Sequence, residues 1–328
     1  MLPVKIAGIG HYLPECAVTS IELEREMGIP AGWAETASGI RERRRAIHET
    51  SSGMAAAAAH MALQQAGLSP ADLDAIIGAS SAPEQAIPCT AALVQQQLGA
   101  PDGQSACFDV NATCLSFVVA LQIAANFIAA GMYRRVLIFS SEIARRSLNP
   151  HERESAILIG DAAAAAVITR SEPGDASALC YTRMTTFGSG AHLTEVRGGG
   201  TRHHPNDPDT TPEMNMFHMD GRGILRQASE TIGPFLDDFF QHAGPRTELD
   251  AVVPHQASGV GLKLLTARFG FRPEQIVVNL PTRGNCIAAS LPLALSEAVH
   301  AGRIQRGHRV LLIGTGAGLS IAAAQIIF

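Results

Sequence analysis

The chain repeats itself. Leu73-Asp74-Ala75-Ile76-Ile77 returns 176 residues later as Leu249-Asp250-Ala251-Val252-Val253, and Arg135-Val136-Leu137-Ile138 returns 174 residues later as Arg309-Val310-Leu311-Leu312. Gly160-Asp161 before an alanine-rich run is matched by Gly314 to Gly318 before Ile321 to Phe328. The matched strings are short, so chance likeness of strand patterns is the competing reading, but a near-constant displacement over distant segments predicts an internal duplication. Two α/β halves, residues 1–172 and 173–328, would stack their apolar helices between two sheets. The ligand site would then lie where the halves meet.

The segments between these strings alternate strand-like and helix-like. Ser52 to Ala66 reads as an alanine-rich helix closed by Gly67, Leu73 to Ala79 as a buried strand, and Trp33 to Arg45 as a polar, basic loop. In the stretch Ala106 to Gly131, a strand ending near Val110 leads through a turn at Asn111 to Thr113 into a helix expected to begin at Cys114. From Leu115 to Ala130 its polar side chains are Ser116, Gln122 and Asn126 alone, which predicts a buried helix. A cysteine at its N-terminus would face unpaired N–H groups and the positive end of the helix dipole, which lower a thiol pKa and favour the nucleophilic thiolate. The alternative is a small apolar core residue.

The duplication sets other chemistry opposite Cys114. A displacement of about 172 residues lands on Arg283-Gly284-Asn285-Cys286, so Asn285 is expected to face Cys114. Val252-Val253-Pro254-His255 ends a buried strand with a histidine, and strand ends are where α/β folds bind ligands. A cysteine, a histidine and an asparagine converging on one point favour nucleophilic acyl chemistry.

Other classes are excluded on composition. With 30 acidic against 25 basic residues and a formal charge of −5, the chain suits neither a nucleic acid nor an anionic membrane. It shows no signal-like start and no long uninterrupted apolar run, and its six cysteines form no CxxC pair, so a cytoplasmic protein without a metal site is expected. Arg197 to His204 reads as a solvated loop rather than a phosphate or metal site. Arg41, Arg43, Arg44 and Arg45 could steer an acidic partner.

Over its whole length the sequence resembles the β-ketoacyl-acyl-carrier-protein synthase III family of the thiolase superfamily. The resemblance rests on Gly39-Ile40-Arg41-Glu42-Arg43, Asp109-Val110 through Cys114, Gly160-Asp161, Val253-Pro254-His255-Gln256-Ala257, Gly284-Asn285 with Ala288-Ala289-Ser290, and Gly314 to Ser320. It implies a thiolase-like layered α-β-α-β-α fold and a homodimer. Cys114 would take an acyl group from a thioester, while His255 and Asn285 would hold the malonyl-acyl-carrier-protein carbonyl as CO2 leaves. The backbone N–H groups of Cys114 and Ala317 would form the oxyanion hole. The substrates would be CoA or acyl-carrier-protein thioesters, with no metal or redox cofactor. A non-decarboxylating acyltransferase and a silent partner subunit are the alternatives on the same fold.

By the same resemblance Trp33 and Arg153 would flank the CoA adenine, while Ala37 replaces a usual arginine. Ser258 and Cys286 replace an asparagine and a threonine, and Gly314 to Ser320 departs from the usual glycine-rich ending. Ile87 would reach the partner's acyl pocket, and with Ala144 it implies a pocket roomier than acetyl needs. If Arg145 points into that pocket, its guanidinium calls for a carboxylate on the starter. A glutaryl starter would then give 3-oxopimeloyl-acyl-carrier protein, a biotin precursor made by divergent members of the family. The competing reading turns Arg145 outward to Glu142, Glu152 or solvent.

Overall fold

The computed structural model describes all 328 residues, Met1–Phe328. Nine strands form its two main sheets. The first contains β1 (Val4–Tyr12), β2 (Ala75–Gly78), β3 (Ala106–Asp109), β4 (Arg135–Glu142) and β5 (Ala162–Arg170), in the order β1-β5-β4-β2-β3. The second contains β6 (Ala178–Thr186), β7 (Ala251–Pro254), β8 (Arg309–Gly316) and β9 (Ser320–Ile327), in the order β6-β9-β8-β7. The orders correspond strand for strand, and so do the directions. β1/β5 and β5/β4 are antiparallel, as are β6/β9 and β9/β8. β4/β2 and β8/β7 are parallel. The counterpart of β3 shrinks to one parallel bridge between Val252 and Ile276.

Burial on both faces explains the near-continuous apolar runs of these strands. Ile77, Val136, Ile138, Val253, Val310 and Leu312 point inward onto two helices, Ser116–Ala129 and Ser290–His300, and all belong to one core. On the outer face of the first sheet, Ile76, Leu137 and Phe139 pack on helices Ser51–Ala66 and Thr90–Leu98. Val252, Leu311 and Ile313 pack on helices Gly221–Ala243 and Gly259–Ala267 outside the second. Helix, sheet, helix, sheet, helix is the expected thiolase-like layering. No helix is long and apolar enough to cross a membrane.

Two local expectations are corrected. Residues 33–45 hold a short helix, Trp33–Ser38, and a short strand, Glu42–Arg44, because Gly32 and Gly39 close the helix in left-handed conformations. Within them Arg43 is buried and donates to the Ile157 carbonyl at 2.7 Å, and Arg45 pairs with Glu26 at 3.0 Å. Arg44 donates to the carbonyls of Pro14 and Glu15. These three guanidiniums are committed to the fold, leaving Arg41 as the exposed charge of that cluster.

Candidate active site

Cys114 sits in a 3-10 turn, Thr113–Leu115, and the α-helix begins two residues later than expected, at Ser116. Thr113 has φ +52°, a left-handed conformation that costs a β-branched residue energy and must be held by its surroundings. Two side chains hold it. Asn111 Oδ1 accepts from the Thr113 N–H at 2.8 Å, and Ser116 Oγ accepts from the Ala112 N–H at 2.9 Å while donating to the Thr113 carbonyl at 2.7 Å.

The second half builds the same turn. Ile287 has φ +51°, Asn285 Oδ1 accepts from its N–H at 2.9 Å, and the 3-10 turn Ile287–Ala289 runs into the helix from Ser290. The displacement between the turns is therefore the 174 residues of the Arg135 and Arg309 strings, not about 172. The counterpart of Cys114 is Ala288, and that of Asn285 is Asn111.

Backbone contacts carry Asn285 across the junction. Its N–H donates to the Leu158 carbonyl at 2.8 Å, and its carbonyl accepts from the Gly160 N–H at 3.1 Å. With Oδ1 occupied by Ile287, the free capacity of the side chain is its Nδ2, whose contact to the Ala257 carbonyl is long at 3.4 Å. The amide thus presents a donor. His255 follows the end of β7, its N–H fixed to the Ile313 carbonyl at 2.8 Å. Its ring is buried with Nδ1 unpaired, and burial pushes its pKa down to about 4, so it is neutral at pH 7. Gly314 and Gly316 of β8 make the approach possible. A Cβ on Gly314 would lie 2.7 Å from the His255 Cβ, and one on Gly316 would lie 2.7 Å from Thr113 Oγ1.

One cavity of about 220 Å³ brings Cys114, His255, Asn285, Ala317 and Ser258 together. Of its 29 lining residues 19 are hydrophobic, so it suits an uncharged, extended group. Ser258 also caps the helix Gly259–Ala267, accepting from the Gly261 N–H at 3.1 Å. The N–H groups of Cys114 and Ala317 both favour the Cys114 thiolate, but burial and the Glu142 carboxylate outweigh them and push the thiol up to about 12. The expected depressed pKa is therefore reversed, because desolvation disfavours the thiolate more than the two N–H groups favour it. Cys114 rests as a thiol.

The remaining residues singled out in the sequence lie off this cavity's wall. Trp33 is half-buried at the start of its short helix, and Arg153 is exposed at the start of helix Arg153–Ala156. Ala144 is half-buried, its N–H donating to Asp161 Oδ1 at 3.0 Å. Ile87 is 85% exposed. Arg145 is exposed in a surface turn, Arg145–Ser147, which matches the outward of its two readings. Glu142 and Glu152 have other partners: Glu142 binds Ser81 and Glu152 binds His218. In the sequence Asn111 was read only as part of a turn, and the buried Glu142 only as a partner for an outward Arg145. The repeat at 174 residues would have exposed Asn111, while Glu142 sits at the end of an ordinary strand.

Residues 108–189 match the family described as 3-oxoacyl-[acyl-carrier-protein] synthase III, and residues 241–327 match its C-terminal part. A β-ketoacyl-[acyl-carrier-protein] synthase III of Symbiobacterium thermophilum is 36% identical over 321 residues, 97% of this chain and 96% of that one. The crystal structure of the Aquifex aeolicus 3-oxoacyl-[acyl-carrier-protein] synthase III superposes with TM-score 0.89 at 36% identity, covering 99% of this chain and 100% of that one. The priming β-ketosynthase of the R1128 polyketide pathway gives TM-score 0.90 at 30% identity, covering 99% and 96%. Sheet order, paired turns and these likenesses over nearly the whole length agree: the chain belongs to the 3-oxoacyl-[acyl-carrier-protein] synthase III family of condensing enzymes.

Proposed function

We propose that the chain condenses an acyl thioester with malonyl-acyl-carrier protein, through an acyl group held on Cys114 and with loss of CO2. The observation that carries this reading is the single cavity in which a thiol, a neutral imidazole and an amide donor meet two backbone N–H groups. In the first step Cys114 Sγ attacks the thioester carbonyl, its proton leaves with the departing thiol, and the N–H groups of Cys114 and Ala317 stabilise the oxyanion. In the second the C–CO2 bond of malonyl breaks, and His255 Nε2–H and Asn285 Nδ2–H donate to the enolate oxygen. The enolate carbon then attacks the acyl carbonyl, a C–C bond forms and the Cys114 thiolate leaves. No electron is transferred, so the sequence of steps needs no redox cofactor.

Trp33 and Arg153 remain candidates for holding a CoA donor outside the cavity. Two features favour a homodimer. β3 is hydrogen-bonded to β2 alone and leaves an open sheet edge, and Ile87 is exposed on the loop of residues 80–89. A glutaryl starter, leading to 3-oxopimeloyl and biotin, would need a cation beside the acyl chain. The outward Arg145 favours a neutral starter instead.

The decisive experiment measures CO2 release from malonyl-acyl-carrier protein together with the intact mass of the enzyme after exposure to acyl thioesters. Acyl loading on Cys114 with CO2 release and a new 3-oxoacyl thioester is expected. Loading without CO2 release would identify a non-decarboxylating acyltransferase, and no loading a silent subunit. Arg145→Ala should change kcat/KM by less than about twofold for glutaryl and neutral starters alike, as for a surface side chain.

A further inference from the structure

Asn111 and Asn285 occupy the same place in the duplicated turn, yet their amides face different ways. Each Oδ1 accepts from the N–H of the left-handed residue two positions on, at 2.8 and 2.9 Å. The Nδ2 of Asn285 faces the cavity. The Nδ2 of Asn111 instead donates to the Ser81 carbonyl at 2.9 Å. Ser81 is held at its other polar groups as well: its N–H and Oγ donate to the two Glu142 oxygens, each at 2.6 Å. Next to it, Ser80 Oγ accepts from the Ser141 N–H at 2.9 Å. The root of the loop of residues 80–89 is therefore fastened to the end of β4, and two side chains join that root to Thr113: Asn111, and Ser116, whose Oγ lies 3.4 Å from the Ser80 carbonyl.

We propose that Asn111 is a positioning residue for Cys114: with its amide fixed by Ser81, it holds Thr113 in the left-handed conformation that aims Cys114 Sγ into the cavity. Without the acceptor at Oδ1, Thr113 would relax toward negative φ and turn the peptide that carries the Cys114 N–H. Both the sulfur and one oxyanion donor would move together. The loss should then appear in the acyl-transfer rate rather than in substrate binding, since the apolar wall of the cavity is untouched. This inference rests on the condensing-enzyme reading of the site.

The test uses the full-length protein and reads alkylation of Cys114 by iodoacetamide from pH 6 to 9, located by peptide mass, alongside acyl loading from an acyl thioester. Asn111→Ala should slow both by about 30-fold, within the 10²-fold that a 1 Å misplacement can cost, with KM changed less than about threefold. Asn111→Ser, which keeps an acceptor for the Thr113 N–H, should return to within about fivefold of wild type. The idea is overturned if Asn111→Ala stays within threefold of wild type across the pH range, or if Asn111→Ser is as slow as Asn111→Ala while both are folded by circular dichroism. Should Asn111→Ala not fold, Asn111→Gln decides: a displaced amide should cost at least about tenfold, and a value within threefold defeats the proposal. Iodoacetamide needs no thioester. A wild type that alkylates normally but takes up no acyl group therefore defeats the condensing reading and leaves the alkylation comparison standing.

Discussion

Residues 111–116 and 285–290 are one piece of backbone used twice, each with an asparagine first, a left-handed residue two positions on and a serine at the head of the helix. Among the positions that differ, the telling one follows the left-handed residue, Cys114 against Ala288, together with what the N–H there meets. In the first turn the Cys114 N–H favours its own thiolate, together with Ala317. In the second the Ala288 N–H favours the ionised Glu142 carboxylate at the end of β4. The same backbone turn therefore favours a thiolate on one side and a buried carboxylate on the other. Chemistry divided between the halves while the backbone stayed the same.

The sharpest break in that comparison is Cys114→Ser, which makes the nucleophilic turn as inert as its twin. Acyl loading and condensation should fall by roughly three orders of magnitude or more, read by intact-protein mass and product formation. Next comes the twin's own contribution. Asn285→Ala removes a cavity donor, so CO2 release should drop by about 10²- to 10³-fold while acyl loading stays within about tenfold. Equal loss of both steps would mean that Asn285 serves chiefly to hold the Ile287 turn.

The two buried titrating groups give an intermediate effect with opposite signs. His255 has a native pKa of about 4 against an ordinary 6.5, so between those values the unfolded chain binds the extra proton and stability falls as pH drops. Burial raises Glu142 to about 7 from 4.5, so over that range the native state holds the extra proton and stability falls as pH rises. From pH 4.5 to 6.5 the two contributions cancel. Relative to wild type, Glu142→Gln should lose stability toward acid across that window, and His255→Asn should lose it toward neutral pH. Parallel denaturation curves for all three proteins would contradict the assignment. The smallest effect is expected from Thr113→Gly. It relieves the left-handed strain and removes a hydroxyl with no partner, but adds freedom to the unfolded chain, for a net change within about 1 kcal/mol in a denaturant titration.

Much of this molecule could be read in advance, because strands buried on both faces leave long apolar strings that survive duplication. LDAII and LDAVV mark β2 and β7, and RVLI and RVLL mark β4 and β8, which gave the layered fold. Cys114, His255 and Asn285 were legible as a strand end and two turns. The state of the thiol was not, since a helix N-terminus argues for a thiolate and only the packing shows that burial overrides it. The direction of Arg145 was left open for a related reason. A charged residue beside a small one carries no sign of which way it points, and a three-residue surface turn decided it. The 80–89 loop root escaped notice because serine and glutamate far apart in the chain announce no partnership.

The backbone stitches between Asn285 and Leu158–Gly160, and the glycines of β8 against Thr113 and His255, also set an order in time. A chain made from its N-terminus finishes the first sheet and the Cys114 turn while β8 and the Asn285 turn are still unmade. Until residues 254–317 dock, that cysteine has no cavity, no Ala317 N–H and no histidine beside it. Competence therefore arrives at a single late moment, and protection of Cys114 from a thiol reagent during refolding should report the docking of the halves rather than the folding of either.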